Sequence, residues 1–135
     1  MRAERGFTLI ELITVTILIS ILSITLFSRL GSVSTANLQA GRDDLIAALF
    51  FAQQSAMARG NIQLVLTTNS VSVIENGTPI VVHSKGYPLT FPSGVTTTAR
   101  TLTYDKLGRT TSVTITLSAN GATASIMVEA SGYAH

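Results

Sequence analysis

The stretch RGFTLIELITVTILIS, residues 5–20, is apolar enough for a membrane-spanning helix and carries one carboxylate, Glu11, inside the apolar run. Residues 12–27 are uncharged and give roughly 24 Å of helix, which is shorter than a hydrocarbon core of about 30 Å. Extension to residues 7–28 gives roughly 33 Å and includes Glu11. A carboxylate at the bilayer centre is disfavoured by roughly 2.5 to 3.5 kcal/mol. The sequence therefore predicts that Glu11 has a partner and a function.

Composition limits the remainder of the chain to one small domain. Roughly a hundred residues follow the N-terminal segment, which is small but sufficient for a soluble core. The net charge of +2 comes from scattered basic residues and does not indicate a nucleic-acid partner. The absence of cysteine excludes disulfides and thiolate metal ligands. Serine and threonine are abundant after Gly60, as in exposed β-structure, so one compact head on one stem is expected.

Two ordinary interpretations of the apolar segment leave Glu11 unexplained. A secretory signal peptide could use residues 34–36, Ser-Thr-Ala, as its small-residue cleavage site. That site, however, lies beyond Arg29 and well past the apolar run. A plain signal anchor explains the length of the segment. Neither interpretation gives a reason for a carboxylate in the membrane.

The residues around Glu11 match a third class of N-terminal signal. A short leader, residues 1–6, contains Arg2 and Arg5 and ends in glycine. The motif that leads into the apolar run consists of Gly6, Phe7, Thr8, Leu9, Ile10, Glu11 and Leu12. It closely resembles the type III signal of type IV prepilins and type II secretion pseudopilins.

The resemblance implies a processing reaction and a role for Glu11. In that family a membrane-bound prepilin peptidase cuts after the glycine, here between Gly6 and Phe7, and N-methylates the new terminus, here Phe7. Glycine suits the cut because it has no Cβ to obstruct the protease. The new α-amine has an ordinary pKa of about 7.7 to 8 and is largely cationic at neutral pH. Glu11 is implied to neutralise the terminal amine of a neighbouring subunit during docking.

Hydroxyl side chains recur along the same helix, at Thr16, Ser20 and Ser23. Such hydroxyls commonly donate to the carbonyl oxygen one turn earlier. Alternatively, small residues of this kind allow close helix-helix contact inside a filament. We favour the first interpretation, because the apolar run contains neither Gly-x-x-x-Gly nor a strict small-residue repeat.

Residues 29–60 are predicted to form an amphipathic helix, because apolar residues recur at spacings of three and four. The positions at these spacings are Leu38, Arg42, Leu45, Leu49, Ala52 and Ala56, with Ile46 and Phe50 adjoining. Arg59 in the last turn and Gly60 just after it are typical of a helix C-terminus. We expect the apolar face to pack on a sheet.

After Gly60 the pattern changes to short β-rich runs separated by turns. Strands are predicted at residues 62–67, 71–75, 78–83, 100–105, 110–117 and 122–129. Turns are predicted at residues 76–77, 106–109 and 118–121, and a loop at residues 85–94. The predicted fold class is α+β, a type IV pilin-like fold in which a long N-terminal helix packs on an antiparallel β-sheet head. The predicted parts are the leader (1–6), the stem helix (7–28), the amphipathic helix half (29–60) and the β-rich head (61–135).

Three short motifs after residue 46 resemble those of one particular family of pilins. Residues 47–60, AALFFAQQSAMARG, look like the helix end of the GspH/FimT family of minor pilins and pseudopilins, and residues 105–109 and 132–135 are also similar. Members cap the type II secretion pseudopilus, prime adhesive pili such as mannose-sensitive haemagglutinin pili, or take up DNA. DNA-binding members carry arginines near the C-terminus. Residues 130–135 contain none, so we do not expect a nucleic-acid partner.

The resemblance predicts a minor pilin or pseudopilin that helps to initiate or cap a type IV pilus or a type II secretion pseudopilus. The implied partners are other major and minor pilins or pseudopilins, the prepilin peptidase, the inner-membrane assembly platform and the membrane itself. The implied location is the bacterial inner membrane, with a single-pass helix and a periplasmic head. No enzyme, metal or cofactor is predicted, because His83 and His135 have no acid or nucleophile at a recognised spacing. The alternative is a membrane-anchored binding module, an adhesin or a DNA-uptake receptor.

Overall fold

A computed structural model describes residues 7–82 and 85–135, apart from the side chains of residues 27–33, 82 and 85. The leader with Gly6, and His83 in the third predicted strand, lie outside these residues. The chain divides into two compact units, Met1–Val33 and Ser34–His135, which we call the stem unit and the head unit. One helix, α1 (Leu9–Arg59), is assigned through both units.

Within the head unit, α1 buries the face predicted from its apolar spacing. Leu45, Leu49, Ala52 and Ala56 are fully buried, as is Ala48. Leu38 is also part of this core, whereas Phe50 is 42% exposed and therefore lies outside the buried face. The predicted stripe is confirmed. Its burial supplies most of the stabilisation of a helix of this kind, because intrinsic helix propensity contributes little.

The end of α1 is fixed by the predicted cap and by an ion pair. Gly60 has a φ of +75°, and its N–H donates to the carbonyl oxygen of Ala56 at 2.9 Å. Glycine adopts this conformation without the steric cost of a Cβ. The Arg59 guanidinium donates to the Glu75 carboxylate at 3.1 Å, which ties the last helical turn to the sheet.

The described part of the head contains ten short strands: β1 (Ile62–Leu66), β2 (Ser70–Glu75), β3 (Thr78–Pro79), β4 (Val81–Val82), β5 (Lys85–Gly86), β6 (Leu89–Thr90), β7 (Thr96–Thr97), β8 (Arg100–Tyr104), β9 (Val113–Ala119) and β10 (Ala122–Val128). The larger sheet has the order β3-β2-β1-β8, and β6 also pairs with β2. A second sheet has the order β10-β9-β7, and β4 pairs with β5. All of these pairings are antiparallel.

Two Asn-Gly pairs form the tight hairpin turns. Asn76 and Gly77 join β2 to β3 with φ values of +49° and +85°. Asn120 and Gly121 join β9 to β10 with φ values of +47° and +84°. Positive φ at both central residues is the requirement of a type I′ turn, which matches the twist of the flanking strands. The hairpin predicted at residues 76–77 is confirmed. The second turn is shorter than predicted, because β9 continues to Ala119.

Several strand boundaries differ from the prediction, and long-range contacts explain the differences. The run predicted at 78–83 is divided at Ile80, whose side chain is buried and whose N–H donates to Val73 O at 2.8 Å. The loop predicted at 85–94 contains β5 and β6, and β7 was not predicted. The strand predicted from residue 110 begins at Val113. Thr110 instead donates from its hydroxyl to Thr103 O and from its N–H to Ala130 O.

The head core lies between α1 and the strands. The largest fully buried side chains are Leu45, Leu49, Ile62, Leu64, Leu66, Leu117, Ile126, Val71, Val73 and Val128. These residues come from the helix and from both of the larger sheets. In β9 the alternation predicted from the sequence is observed, since Ile115 and Leu117 are buried while Thr114 and Thr116 are exposed. Burial raises the pKa of Tyr104 to about 12.

Candidate processing and assembly segment

Thr8 caps the N-terminus of α1. Its side-chain hydroxyl accepts a hydrogen bond from the Glu11 N–H at 3.4 Å, and its carbonyl oxygen accepts from the N–H groups of Glu11 and Leu12 at 3.1 and 3.2 Å. Threonine at the N-cap with glutamate three residues later is the sequence pattern of a capping box. Thr8 belongs to the predicted processing signal, and the Thr-x-x-Glu spacing indicates the cap as well. The motif residues therefore also determine where the helix begins.

Glu11 lies in the first turn of α1, where the helix macrodipole favours negative charge. Its side chain is exposed. Among residues 7–82 and 85–135, the ion pairs are Arg59 with Glu75 and Arg109 with Asp105, so Glu11 has none. The helix terminus offsets only about 0.3 to 1 kcal/mol of the cost of a carboxylate in the membrane, so a partner is still needed. The Glu11 carboxylate is therefore available to pair with a cation from another molecule.

The segment from Phe7 onward exposes an apolar surface. Phe7 is 80% exposed, and exposed apolar side chains continue to Leu26. Residues Leu9–Leu26 have a mean hydropathy of 2.4, and none of this window is buried against the rest of the protein. By length and composition this helix could cross a membrane.

The hydroxyl groups of this segment are satisfied within the helix. Thr14, Thr16, Ser20 and Ser23 each donate to a carbonyl oxygen three or four residues earlier, at 2.7 to 2.8 Å. Thr25 does the same at 2.9 Å. The interpretation favoured from the sequence, in which the hydroxyls donate to carbonyl oxygens of the preceding turn, is confirmed. Within Leu9–Leu26, Glu11 is thus the polar side chain for which the structure shows no partner.

In the head unit, three short motifs singled out from the sequence meet at one place. Gln53 on α1 donates from Nε2 to the carbonyl oxygen of Ser131 at 3.0 Å. A Cβ at Gly132 would collide with the carbonyl oxygen of Gly108 and lie 2.7 Å from Gln53 Nε2. We call Gln53, Gly108, Ser131 and Gly132 the head clasp. It joins the helix, the β8–β9 turn and the C-terminal segment, and the absence of side chains at both glycines permits the close approach.

Asp105 organises the turn that carries Gly108. Its carboxylate accepts hydrogen bonds from the N–H groups of Leu107 and Arg109, at 2.9 and 2.8 Å, and from Arg109 Nε at 2.9 Å. These bonds, the Arg109 N–H first, hold the pKa of Asp105 below its ordinary value. Asp105 therefore stabilises the turn predicted at residues 106–109, with Arg109 as the charged partner. No catalytic role is needed to explain it.

Gly132→Ala is expected to destabilise the head. The substitution places a Cβ at a φ of +86°, against the Gly108 carbonyl. The left-handed conformation alone costs roughly 1 to 2 kcal/mol, and the collision adds to it. Thermal unfolding of the full-length protein in detergent should show a melting temperature lowered by roughly 5 to 15 °C. Gly121→Ala is the matched control, because its φ is +84° and nothing lies within 4 Å of the added Cβ. Equal losses for the two variants would contradict the clasp.

The comparisons with known proteins agree with this geometry. Residues 1–27 match the family described as "Prokaryotic N-terminal methylation motif". The structure is similar to two crystal structures of the type IV minor pilin FimU of Pseudomonas aeruginosa. One has a TM-score of 0.58 and 16% identity, covering 75% of this chain and 88% of that chain. The other has a TM-score of 0.56 and 16% identity, covering 73% and 90%.

The chain has the type IV pilin fold. The predicted α+β class is confirmed, and the fold together with the methylation motif indicates a structural subunit and not an enzyme. No curated protein matches the sequence. Membership of the GspH/FimT family stays a prediction, because the matched motif is confined to residues 1–27. This type IV pilin-like protein therefore joins an exposed N-terminal apolar helix to a compact α+β head.

Proposed function

We propose that this type IV pilin-like protein is a minor pilin or pseudopilin that helps to initiate or cap assembly of a type IV pilus or a type II secretion pseudopilus. The observation that carries the proposal is Glu11, a carboxylate that has no ion-pair partner among residues 7–82 and 85–135 and lies on an exposed apolar helix within the methylation motif. An intramembrane carboxylate is disfavoured alone and satisfied by a cation from a neighbour. The head clasp and the buried core stabilise the head unit.

Processing is the first step of the proposed mechanism. The prepilin peptidase cuts between Gly6 and Phe7 and N-methylates Phe7, which becomes the first residue. The new α-amine then lies two residues before the first residue of α1, Leu9. A cation there is disfavoured by the positive end of the helix macrodipole, so a counter-charge from a neighbouring subunit would stabilise the terminus. Terminal amine and carboxylate both need a partner of opposite charge.

Docking satisfies both groups. The α-amine of one subunit meets Glu11 of the next, and the exposed apolar side chains from Leu9 to Leu26 pack among neighbouring stems. In a low-dielectric surrounding, unlike charges a few ångströms apart attract more strongly than in water. The inner-membrane assembly platform and the other pilins or pseudopilins are the proposed partners, and the head is proposed to face the periplasm. Thr8 contributes by fixing the start of the helix relative to Glu11.

The proposed processing is tested by intact-mass measurement. Protein purified from cells that contain the prepilin peptidase should lack Met1 to Gly6 and carry one added methyl group on Phe7. Gly6→Ala should be cut more efficiently than Gly6→Val, because the difficulty at this position is steric. Cells without the peptidase supply the uncut control. An uncut Met1 terminus in the presence of the peptidase, or a cut after Ala36, would overturn the proposal.

A membrane-anchored binding module is the competing function. Such a receptor needs the apolar helix for anchoring, yet it needs neither processing at Gly6 nor a charge at Glu11. It should remain full length and keep its function when Glu11 is replaced. The mass measurement and the Glu11 variants therefore separate the two functions.

A further inference from the structure

A polar cleft in the head unit is lined by residues other than those of the clasp and the turns already described. Its volume is about 120 Å³, and it is lined by Thr97, Thr98, Arg100, Thr114, Ile115 and Thr116. It forms where β7 ends: β7 pairs with β9 at Thr96–Ser118 and Thr97–Leu117, and no pairing of β7 extends to Thr116. Thr98 lies in the short connection to β8, and Arg100 begins that strand. The cleft is thus an opening at the junction of the two larger sheets.

Some polar groups around this opening have no partner among the described residues, whereas the hydroxyls of Thr97 and Thr116 do. Arg100 takes part in neither of the ion pairs found in the described part of the chain, which involve Arg59 and Arg109. The structure gives the hydroxyls of Thr98 and Thr114 no hydrogen bond within residues 7–82 and 85–135. Thr97 differs, because its buried hydroxyl donates to Thr116 O at 2.9 Å and so fixes one wall. One guanidinium and two hydroxyls therefore remain available to an incoming group.

The lining favours an anion over a cation or a sugar. None of the lining residues is acidic, and none is aromatic, so neither a metal cation nor the stacking face of a sugar ring is accommodated. A guanidinium and hydroxyl donors match the two oxygens of a carboxylate. A single cation balances one carboxylate, whereas phosphate carries a charge nearer −2 at neutral pH. The volume also suits a small group, since a cavity of roughly 150 Å³ accepts benzene.

We propose that the cleft around Arg100, Thr98 and Thr114 binds a carboxylate. Arg100 supplies the charge, the two hydroxyls supply additional donors, and the Thr97–Thr116 hydrogen bond keeps the wall in place. The carboxylate is either a free small acid or the side chain of an acidic residue on a neighbouring subunit. Only the second source rests on the proposed function of the protein in assembly.

The binding chemistry is tested on the isotope-labelled full-length protein in detergent micelles. Propionate is titrated at constant ionic strength, with neutral propionamide as the matched ligand, and amide shifts near Thr98 and Thr114 are followed. Propionate should give saturable shifts at roughly millimolar to tens of millimolar concentrations, as expected of a ligand of five heavy atoms, and propionamide should not. Arg100→Gln should weaken binding at least tenfold, and the exposed control Lys106→Gln should leave it unchanged.

Thr114→Val, which keeps the shape of the side chain, is a second variant in case Arg100→Gln perturbs the fold, and it should weaken binding severalfold. Binding that is absent in the wild type, or unchanged in both cleft variants, overturns the proposal. Saturation by inorganic phosphate at lower concentration than propionate also overturns it. In cells with the other subunits, reduced filament incorporation of Arg100→Gln relative to Lys106→Gln identifies an acidic side chain as the source. Equal incorporation identifies a free acid, whatever the outcome for Glu11.

Discussion

A Leu49→Asp variant is expected to lose the folded head. Leu49 is fully buried at the centre of the helix face that packs on the strands. Burying an unpaired carboxylate costs several kcal/mol, and removal of a buried leucine side chain costs roughly 2 to 5 kcal/mol more. Small domains are stable by only about 5 to 15 kcal/mol in total. The two penalties together are therefore comparable with the stability of the head.

Circular dichroism and limited proteolysis of the full-length protein in detergent measure this effect. Ala47→Asp is the matched control, since Ala47 lies on the same helix two residues away and is exposed. It changes helix propensity without burying a charge, and it should cost less than about 1 kcal/mol. A Leu49→Asp head that melts cooperatively near the wild-type temperature would show that a different face of α1 meets the sheets.

Local patterns in the sequence predicted the features that depend on local physics. The spacing of Leu45, Leu49 and Ala52 indicated the buried helix face, and Asn76-Gly77 indicated a tight turn, because each depends on near neighbours in the chain. The motif from Gly6 to Leu12 lies within the match to the methylation motif at residues 1–27, and processing at Gly6 stays a prediction. The fold class followed from the order of these patterns together with the resemblance.

Features that depend on distant contacts could not be predicted. Strand β7 has two residues and exists through pairing of Thr96 with Ser118, for which its own sequence gives no strong signal. The clasp joins Gln53 to Ser131 across 78 positions of sequence. Residues 47–60, which contain Gln53, and residues 132–135, which follow Ser131, each resemble motifs of a known family. The sequence does not show that these two segments are in contact. The cleft at Arg100 likewise requires the relative placement of three strands.

A Glu11→Ala variant is expected to be processed and inserted into the membrane normally, and to fail in docking. The processing motif around Gly6 and Phe7 is unchanged, and removal of an intramembrane carboxylate favours insertion. If Glu11 pairs with the terminal amine of a neighbour as proposed, that amine loses its counter-charge and incorporation into the filament should be weakened. Breaking a buried ion pair typically costs about 3 to 5 kcal/mol, which corresponds to a docking equilibrium weakened by roughly a hundredfold or more. Glu11→Asp should be intermediate, because it keeps the charge on a shorter side chain.

Incorporation of the Glu11→Ala protein into filaments tests this account most directly. Cells with the peptidase and the other subunits supply a sheared filament fraction and a membrane fraction, and the amount of variant in each is compared with wild type. Glu11→Gln serves as the uncharged variant of nearly equal shape. A docking role for the Glu11 charge predicts processed Glu11→Ala and Glu11→Gln protein in the membrane at wild-type levels, with at least a tenfold loss from the filament. Wild-type incorporation of both variants, or failure of processing in both, would contradict a docking role for the Glu11 charge.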